Sequence, residues 1–266
     1  MYSLRLTCRA EEAETLSAEL WALGTVGIHE LDDGDRVRLI AGFADAGIQD
    51  SLRRHFAAYS PEYEIEECTD WTERVHEQWP ARLIGNRIYL APYWSSEVTP
   101  SGRVRIVHNP GMASGTGEHP CTQLALAALE SHLSPGSVVA DIGTGSGILA
   151  IAALRLGAGS VVGVDNDSEA LNVARENFGL NDLDGVLVAG SADCIRDGCV
   201  DYVVANVDGS VLLSILDDLL RIVRPDGRVT LTGFADGELS FFLALFARAD
   251  VTAIEEWRCI SFRVGR

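Results

Sequence analysis

Apolar and polar positions along this 266-residue chain follow two rhythms. Near the start, Tyr2, Leu4, Leu6 and Cys8 alternate with polar residues, the period of a half-buried strand. Leu16, Leu20 and Leu23 then fall on one stripe of a helix predicted over residues 10–22. Two short runs near 25–31 and 36–41 flank the turn Asp32-Asp33-Gly34-Asp35. Helical spacing returns near 45–58 through Ile48, Leu52 and Phe56, and a strand is expected near 62–67. This strand-helix-strand-strand-helix-strand order predicts a small ferredoxin-like α+β domain over residues 1–68. A substrate-recognition module and a scaffold or dimerisation unit are equally open readings of it.

From about residue 103 the rhythm changes. Apolar runs near 104–107, 138–142, 161–164, 185–189, 200–205, 228–233 and 251–264 alternate with helical patterns, the last run having room for two strands. Residues 101–266 are therefore expected to form an α/β domain on a Rossmann-like, seven-stranded, mostly parallel sheet. The closing stretch has no helix after it and is expected to pair antiparallel at the sheet edge or to insert there. Residues 69–100 read as an aromatic-rich connector (Trp71, Trp79, Tyr89, Tyr93, Trp94) that packs against the second domain.

Candidate chemistry concentrates where the strands end. The run Val138-Val139-Ala140 closes on Asp141, glycines follow at 143, 145 and 147, and a helical pattern opens at Ile148. This is a buried strand, a turn of bare backbone, and a helix N-terminus facing the turn. Dinucleotide folds space their glycines G-x-G-x-x-G, whereas here Ile148 stands where that fingerprint needs glycine. Asp141 before the turn suits a ligand carrying an ammonium group, such as S-adenosylmethionine. On the next strand Val161-Val162-Gly163-Val164 ends in Asp165, about twenty residues past Gly143, where a carboxylate can accept both hydroxyls of a ribose. Asp167 and Ser168 are better placed to cap the helix that follows.

Three further positions belong to the same strand-end set. Asp193, after Val186-Leu187-Val188, can accept from an adenine amino group or serve as a turn aspartate. Asn206, after Tyr202-Val203-Val204-Ala205, can accept from an attacking amine or cap the next helix. Thr122 opens an apolar helix behind a loop rich in glycine, hydroxyls and two histidines, and can bond a carboxylate or ribose there.

Composition narrows the classes. The net charge of −18 argues against a nucleic-acid substrate, which needs a basic face. No long apolar run suggests a membrane span and no export signal is visible, so a cytoplasmic protein is expected. The six cysteines (8, 68, 121, 194, 199, 259) contain no C-x-x-C pair and read as reduced thiols, and no metal is expected. All 21 basic residues are arginine. An amine-modifying enzyme of this composition has no lysine of its own to modify.

Asp70-Trp71, the loop from Pro110-Gly111 through Gly115-Thr116-Gly117-Glu118-His119-Pro120-Cys121-Thr122, and Asp141-Ile-Gly-Thr-Gly-Ser-Gly-Ile-Leu-Ala-Ile-Ala-Ala153 together resemble the ribosomal protein L11 methyltransferase family. Gly163-Val-Asp-Asn-Asp167, Val204-Ala-Asn206 and Glu256-Trp257-Arg-Cys259 continue the likeness. The resemblance implies a class I methyltransferase sheet behind a substrate-recognition domain. It also implies methyl transfer from S-adenosylmethionine to lysine or N-terminal amines of ribosomal protein L11, and cofactor contacts at Thr122, Gly143, Asp165 and Asn206. Two departures stand out. Cys121 and Ser114 replace the family's usual Thr and Phe, and Val207-Asp208-Gly209 replaces Ile-Leu-Ala, bringing a carboxylate near the expected acceptor site. Asn206 is expected to align the acceptor in an in-line displacement without a dedicated base. The rival readings are a methyltransferase of the same fold with another acceptor, a protein lysine or a small metabolite, and a non-catalytic binding protein; the glycine spacing disfavours a nicotinamide dehydrogenase.

Overall fold

The computed structural model describes residues 2–32, 36–43, 48–65, 79–109 and 117–265. They divide into two compact units, 1–78 and 79–266.

In the first unit, β1 (Tyr2–Arg9), α1 (Ala10–Ala22), β2 (Gly27–Asp32), β3 (Arg36–Phe43), α2 (Gln49–His55) and β4 (Glu62–Ile65) follow one another. The sheet order is β2-β3-β1-β4, with every neighbouring pair antiparallel. Alternation along β1 puts Leu4, Leu6 and Cys8 on one face, opposite Ala41, Leu39 and Val37 of β3. Leu16 and Leu20 of α1 and Leu52 of α2 close on that face to make a separate core.

The second unit opens with β5 (Arg82–Ile84), β6 (Ile88–Pro92) and β7 (Val104–His108), a three-stranded sheet of its own. Two expectations change here. The run at 104–108 does not join the large sheet; it pairs parallel with β6, an apolar run being equally able to satisfy either partner. Residues 82–92 of the expected connector are two strands of this unit, while Trp71 lies outside the described residues. Of the connector's aromatics, Tyr89 is buried with its hydroxyl donating to Glu97 at 2.6 Å, and Tyr93 is exposed.

Next come α3 (Pro120–His132), β8 (Val138–Ile142), α4 (Ile148–Leu156), β9 (Ser160–Asp165), α5 (Ser168–Leu180), β10 (Val186–Ala189) and β11 (Val200–Asn206). They are followed by α6 (Gly209–Ser214), α7 (Leu216–Ile222), β12 (Val223–Ala235), α8 (Asp236–Leu245), β13 (Asp250–Ile254) and β14 (Trp257–Arg263). The seven-stranded sheet has the order β10-β9-β8-β11-β12-β14-β13. It is parallel from β10 to β12, and β14 inserts antiparallel between β12 and β13. Strands of such a sheet are covered on both faces, which is why they read as unbroken apolar runs. Along β11, Tyr202 and Val204 join the core beneath α3, α4 and the small sheet, whereas Val203 and Ala205 join the core beneath α6, α7 and α8.

The change of winding direction lies at β8. From there the chain goes one way to β9 and β10 and the other way to β11 and β12, so the crevice at the carboxyl ends of β8, β9 and β11 is the topological switch point where open α/β sheets bind ligands.

Candidate functional site

The glycine turn is built by its neighbours. Gly143, Gly145 and Gly147 have φ of +73°, +52° and +78°, a region L side chains rarely adopt. At Gly143 a side chain would also collide with its surroundings, because a Cβ would lie 2.2 Å from Cγ1 of Val207, which would have to shift. The amides of Gly143 and Thr144 donate to Val164 O at 2.8 and 3.0 Å, tying the turn to β9.

Asp141 does the work of a cap from outside the helix. Gly147, the N-cap of α4, has no side chain, and the buried first-turn amide of Ala150 donates instead to Oδ2 of Asp141 at 3.1 Å. Thr144 Oγ1 donates to the same oxygen at 2.7 Å. Asp141 is fully buried, and its other oxygen, Oδ1, has no hydrogen-bond partner within the protein. Burial pushes this carboxyl up to about 7 from its ordinary 3.8, against the pull of its two donors. A buried, unpartnered carboxylate oxygen at the base of a ligand turn is complementary to a cation.

Asp165 also braces the turn. Its Oδ2 accepts from the Gly145 amide at 2.8 Å and its Oδ1 from the Asp167 amide at 3.0 Å. Each oxygen keeps a second lone pair for a ligand hydroxyl. The helix cap falls to Asp167, whose Oδ1 accepts from Glu169 N at 2.8 Å.

Asn206 ends β11, half-buried, with Nδ2 donating to Thr122 Oγ1 at 3.2 Å. Thr122 is itself buried at the start of α3, where the N-cap is His119, its Nδ1 accepting from Cys121 N at 3.3 Å and its ring meeting Trp257 edge-on at 4.6 Å. With Nδ2 committed, the carbonyl oxygen of Asn206 is the group left to accept. The cap of α6 is Asp208, which accepts from both the amide and the hydroxyl of Ser210. That hydroxyl bond, followed by the amide bond, holds the Asp208 carboxyl below its usual value.

These groups converge on a cavity of about 430 Å³ at the carboxyl ends of the strands. Gly143, Gly145, Asp165 and Asn206 line it. Asp141, Gly147 and Thr122 stand behind the lining, and Asp193 sits exposed on the 3-10 turn Ala192–Cys194 outside it. Residues 110–116 of the histidine-containing loop lie outside the described residues. Sequence reading missed Asn166, Gly190 and Ser191, which line the cavity just past the ends of β9 and β10. The carboxyl-end rule that singled out Asp165 and Asp193 would have reached them. A smaller cavity of about 240 Å³ lies near the start of β11, with Arg224 and Arg228 engaged by Asp201 and Asp250.

The site fits S-adenosylmethionine on three counts: bare backbone at the turn, a buried orphan oxygen for an ammonium group, and a carboxylate at the next strand tip for a ribose. Comparison with known proteins agrees. The family model described as "Ribosomal protein L11 methyltransferase (PrmA)" matches residues 46–264. A ribosomal protein L11 methyltransferase of Dechloromonas aromatica is 36% identical over 229 residues, 82% of this chain and 76% of the relative. The enzyme of the same name from Desulfosudis oleivorans is 36% identical over 207 residues, 73% of this chain and 68% of its own. The crystal structure of a ribosomal protein L11 methylase from Lactobacillus delbrueckii subsp. bulgaricus superposes with a TM-score of 0.66 at 30% identity, covering 71% of this chain and 100% of that one. On the strength of the family match and these relatives, this chain belongs to the ribosomal protein L11 methyltransferase family.

Proposed function

We propose that this chain transfers methyl groups from S-adenosylmethionine to amines of ribosomal protein L11, lysine side chains and the N-terminal amine being the acceptor class. The observation that carries this reading is the shared cavity of Gly143, Gly145, Asp165 and Asn206 at the sheet's switch point, in a chain of this family. The cofactor supplies an electrophilic methyl on a sulfonium. Everything else is asked of the protein's own residues.

In this reading the glycine turn lets the donor lie against backbone, with Gly147 opening α4 behind it. Asp141 answers the donor's ammonium through its unpartnered oxygen, a contact that requires the turn to open to this buried group, and Asp165 takes the ribose hydroxyls with its remaining lone pairs. Asp193 takes the adenine amino group, a contact that requires its exposed turn to close on the ligand. Thr122 holds Asn206 by its amide nitrogen, so Oδ1 accepts one N–H of the acceptor amine and aims its lone pair at the methyl. Alignment and exclusion of water are then the main catalytic contributions.

Only the neutral amine attacks. Bringing a lysine of pKa ~10.4 to that form at pH 7 costs about 4–5 kcal/mol, against roughly 1 kcal/mol for an N-terminal amine near ~7.7. No dedicated base is assigned. The front unit recognises the protein substrate, and with the net charge of −18 no nucleic acid is directly bound as substrate. Among the described residues no helix is long and apolar enough to cross a membrane, and the site of action proposed is the cytoplasm, where ribosomal protein is made.

Asp208 on the cavity wall favours one second reading, a different cationic acceptor on the same catalytic frame. Incubation with methyl-labelled cofactor and purified ribosomal protein L11 separates the two. Label is expected on the ribosomal protein. Label absent from it but present on another component of a cell extract would replace the substrate and keep the reaction.

A further inference from the structure

Helix α5 carries Asn177 near its end and is closed one turn later by its C-cap, Asn181; the two residues are 0% and 1% exposed. Buried primary amides are costly unless every strong group is used. Asn181 pairs with β7 as a neighbouring strand would: Oδ1 accepts from Val107 N at 2.9 Å, and Nδ2 donates to Val107 O at 2.6 Å. Asn177 reaches two ways. Its Oδ1 accepts from Asn109 N at 2.8 Å, just past the end of β7, and its Nδ2 donates to Ser146 O at 2.9 Å.

Ser146 stands inside the glycine turn, between Gly145 and Gly147. Because Gly147 tolerates either sign of φ, the Ser146–Gly147 peptide has two sterically accessible orientations. In the structure its N–H closes on Thr144 O at 2.8 Å while its carbonyl points at Asn177. The bond from Asn177 favours that orientation over the flipped one, which would leave both the carbonyl and the asparagine amide buried without partners. Ser146 does not line the cavity; Gly143 and Gly145 do, so the effect reaches the ligand through the shape of the turn.

We propose that Asn177 is a positioning residue for the methyl donor: it holds the glycine turn in its binding shape and ties it to the chain leaving β7. The inference rests on the turn being the cradle of S-adenosylmethionine. Asn181 is a built-in control, the C-cap of the same helix, equally buried and bonded to the same strand; its Nδ2 also donates to Asn177 O at 2.7 Å, but it has no bond to the turn.

The test compares Asn177→Ala with Asn181→Ala in the full chain, by calorimetric titration with S-adenosylmethionine and its demethylated product and by thermal unfolding. Both variants are expected to melt lower than wild type. Loss of one oriented hydrogen bond in the turn is expected to weaken binding about tenfold for Asn177→Ala, while Asn181→Ala stays within about twofold. Equal weakening in both variants, or none in Asn177→Ala, overturns the proposal. Wild-type protein that binds neither compound would instead sink the reading of the cavity itself. If Asn177→Ala does not fold, Asn177→Ser takes its place. Loss of the fold in both Asn177 variants, with Asn181→Ala folded, would assign Asn177 to stability alone and also overturn the proposal.

Discussion

Asp141→Asn exchanges one buried oxygen for an amide group and removes a charge from the floor of the glycine turn. The wild-type carboxyl lies at about 7 in the folded protein against an ordinary 3.8, because burial penalises its ionised form. That gap corresponds to about 4 kcal/mol in the folding equilibrium. Its sign follows from proton counting. Between the two values the native state holds a proton that the unfolded chain has released. The group's contribution is therefore fully present below about 4, is lost as the pH climbs to about 7, and is flat above.

The asparagine variant has no such proton. Its amide oxygen can keep accepting from Thr144 and Ala150, with its NH₂ group taking the orphan position. Thermal unfolding of both proteins without ligand, from pH 5 to pH 8, isolates the effect, since other titrations cancel in the difference. The variant is expected to gain on wild type by roughly 2–3 kcal/mol across that range, or roughly 5–10 °C in Tm for a chain of this size. A pH-independent difference would show that Asp141 is ionised throughout and that its burial carries no such cost. The same experiment with cofactor reads the other half of the argument. A cation beside Oδ1 favours the carboxylate, so wild-type binding should tighten as the pH rises towards about 7 and release a proton, seen as a buffer-dependent heat. Asp141→Asn should bind weakly and without proton release. Equal cofactor affinity in the two proteins would remove Asp141 from the site.

Asn206→Ala is expected to lower turnover about a hundredfold, the scale of a misaligned attack, while the cofactor Kd moves only a few-fold. Equal losses in both would make Asn206 a binding residue. Gly143→Ala forces a Cβ to within 2.2 Å of Val207 at a φ of +73°. It should cost about 1–3 kcal/mol of stability and abolish cofactor binding, so wild-type affinity in a folded variant would refute the close-approach argument. With chemistry limiting, the methylation rate should climb between about pH 7 and 9 as more acceptor amine loses its proton; a flat profile would require a base that the site does not display.

Much of this protein is legible in local pattern. A period-two run marks the first front strand, unbroken apolar runs mark the parallel strands, and the strand-glycine-helix sequence at 139–148 locates the turn. Asp167 was readable as a cap because capping depends on residues two or three positions away. What escaped depended on distant partners. The run at 104–107 reads as a strand of the large sheet, and only its pairing with β6 puts it elsewhere. Asp165 stands at its strand tip as the pattern predicts, but that its Oδ2 accepts the Gly145 amide, 20 positions back, is not visible in the sequence. Asn177 and Asn181 gave no signal at all, since a polar residue in a helix is ordinary until its buried partners are known.

Sequence alone determined most of the strands and helices, the two strands within 82–92 excepted, where the backbone turns bare, and which acidic and amide groups end up near strand tips. Each of those follows from neighbours a few positions along the chain. Tertiary structure decided that Thr122 meets Asn206 across 84 positions and that one oxygen of Asp141 is left without a partner. Such facts depend on which groups the packed sheet brings within three ångströms of one another and which it shuts away from water, and no local pattern carries that information.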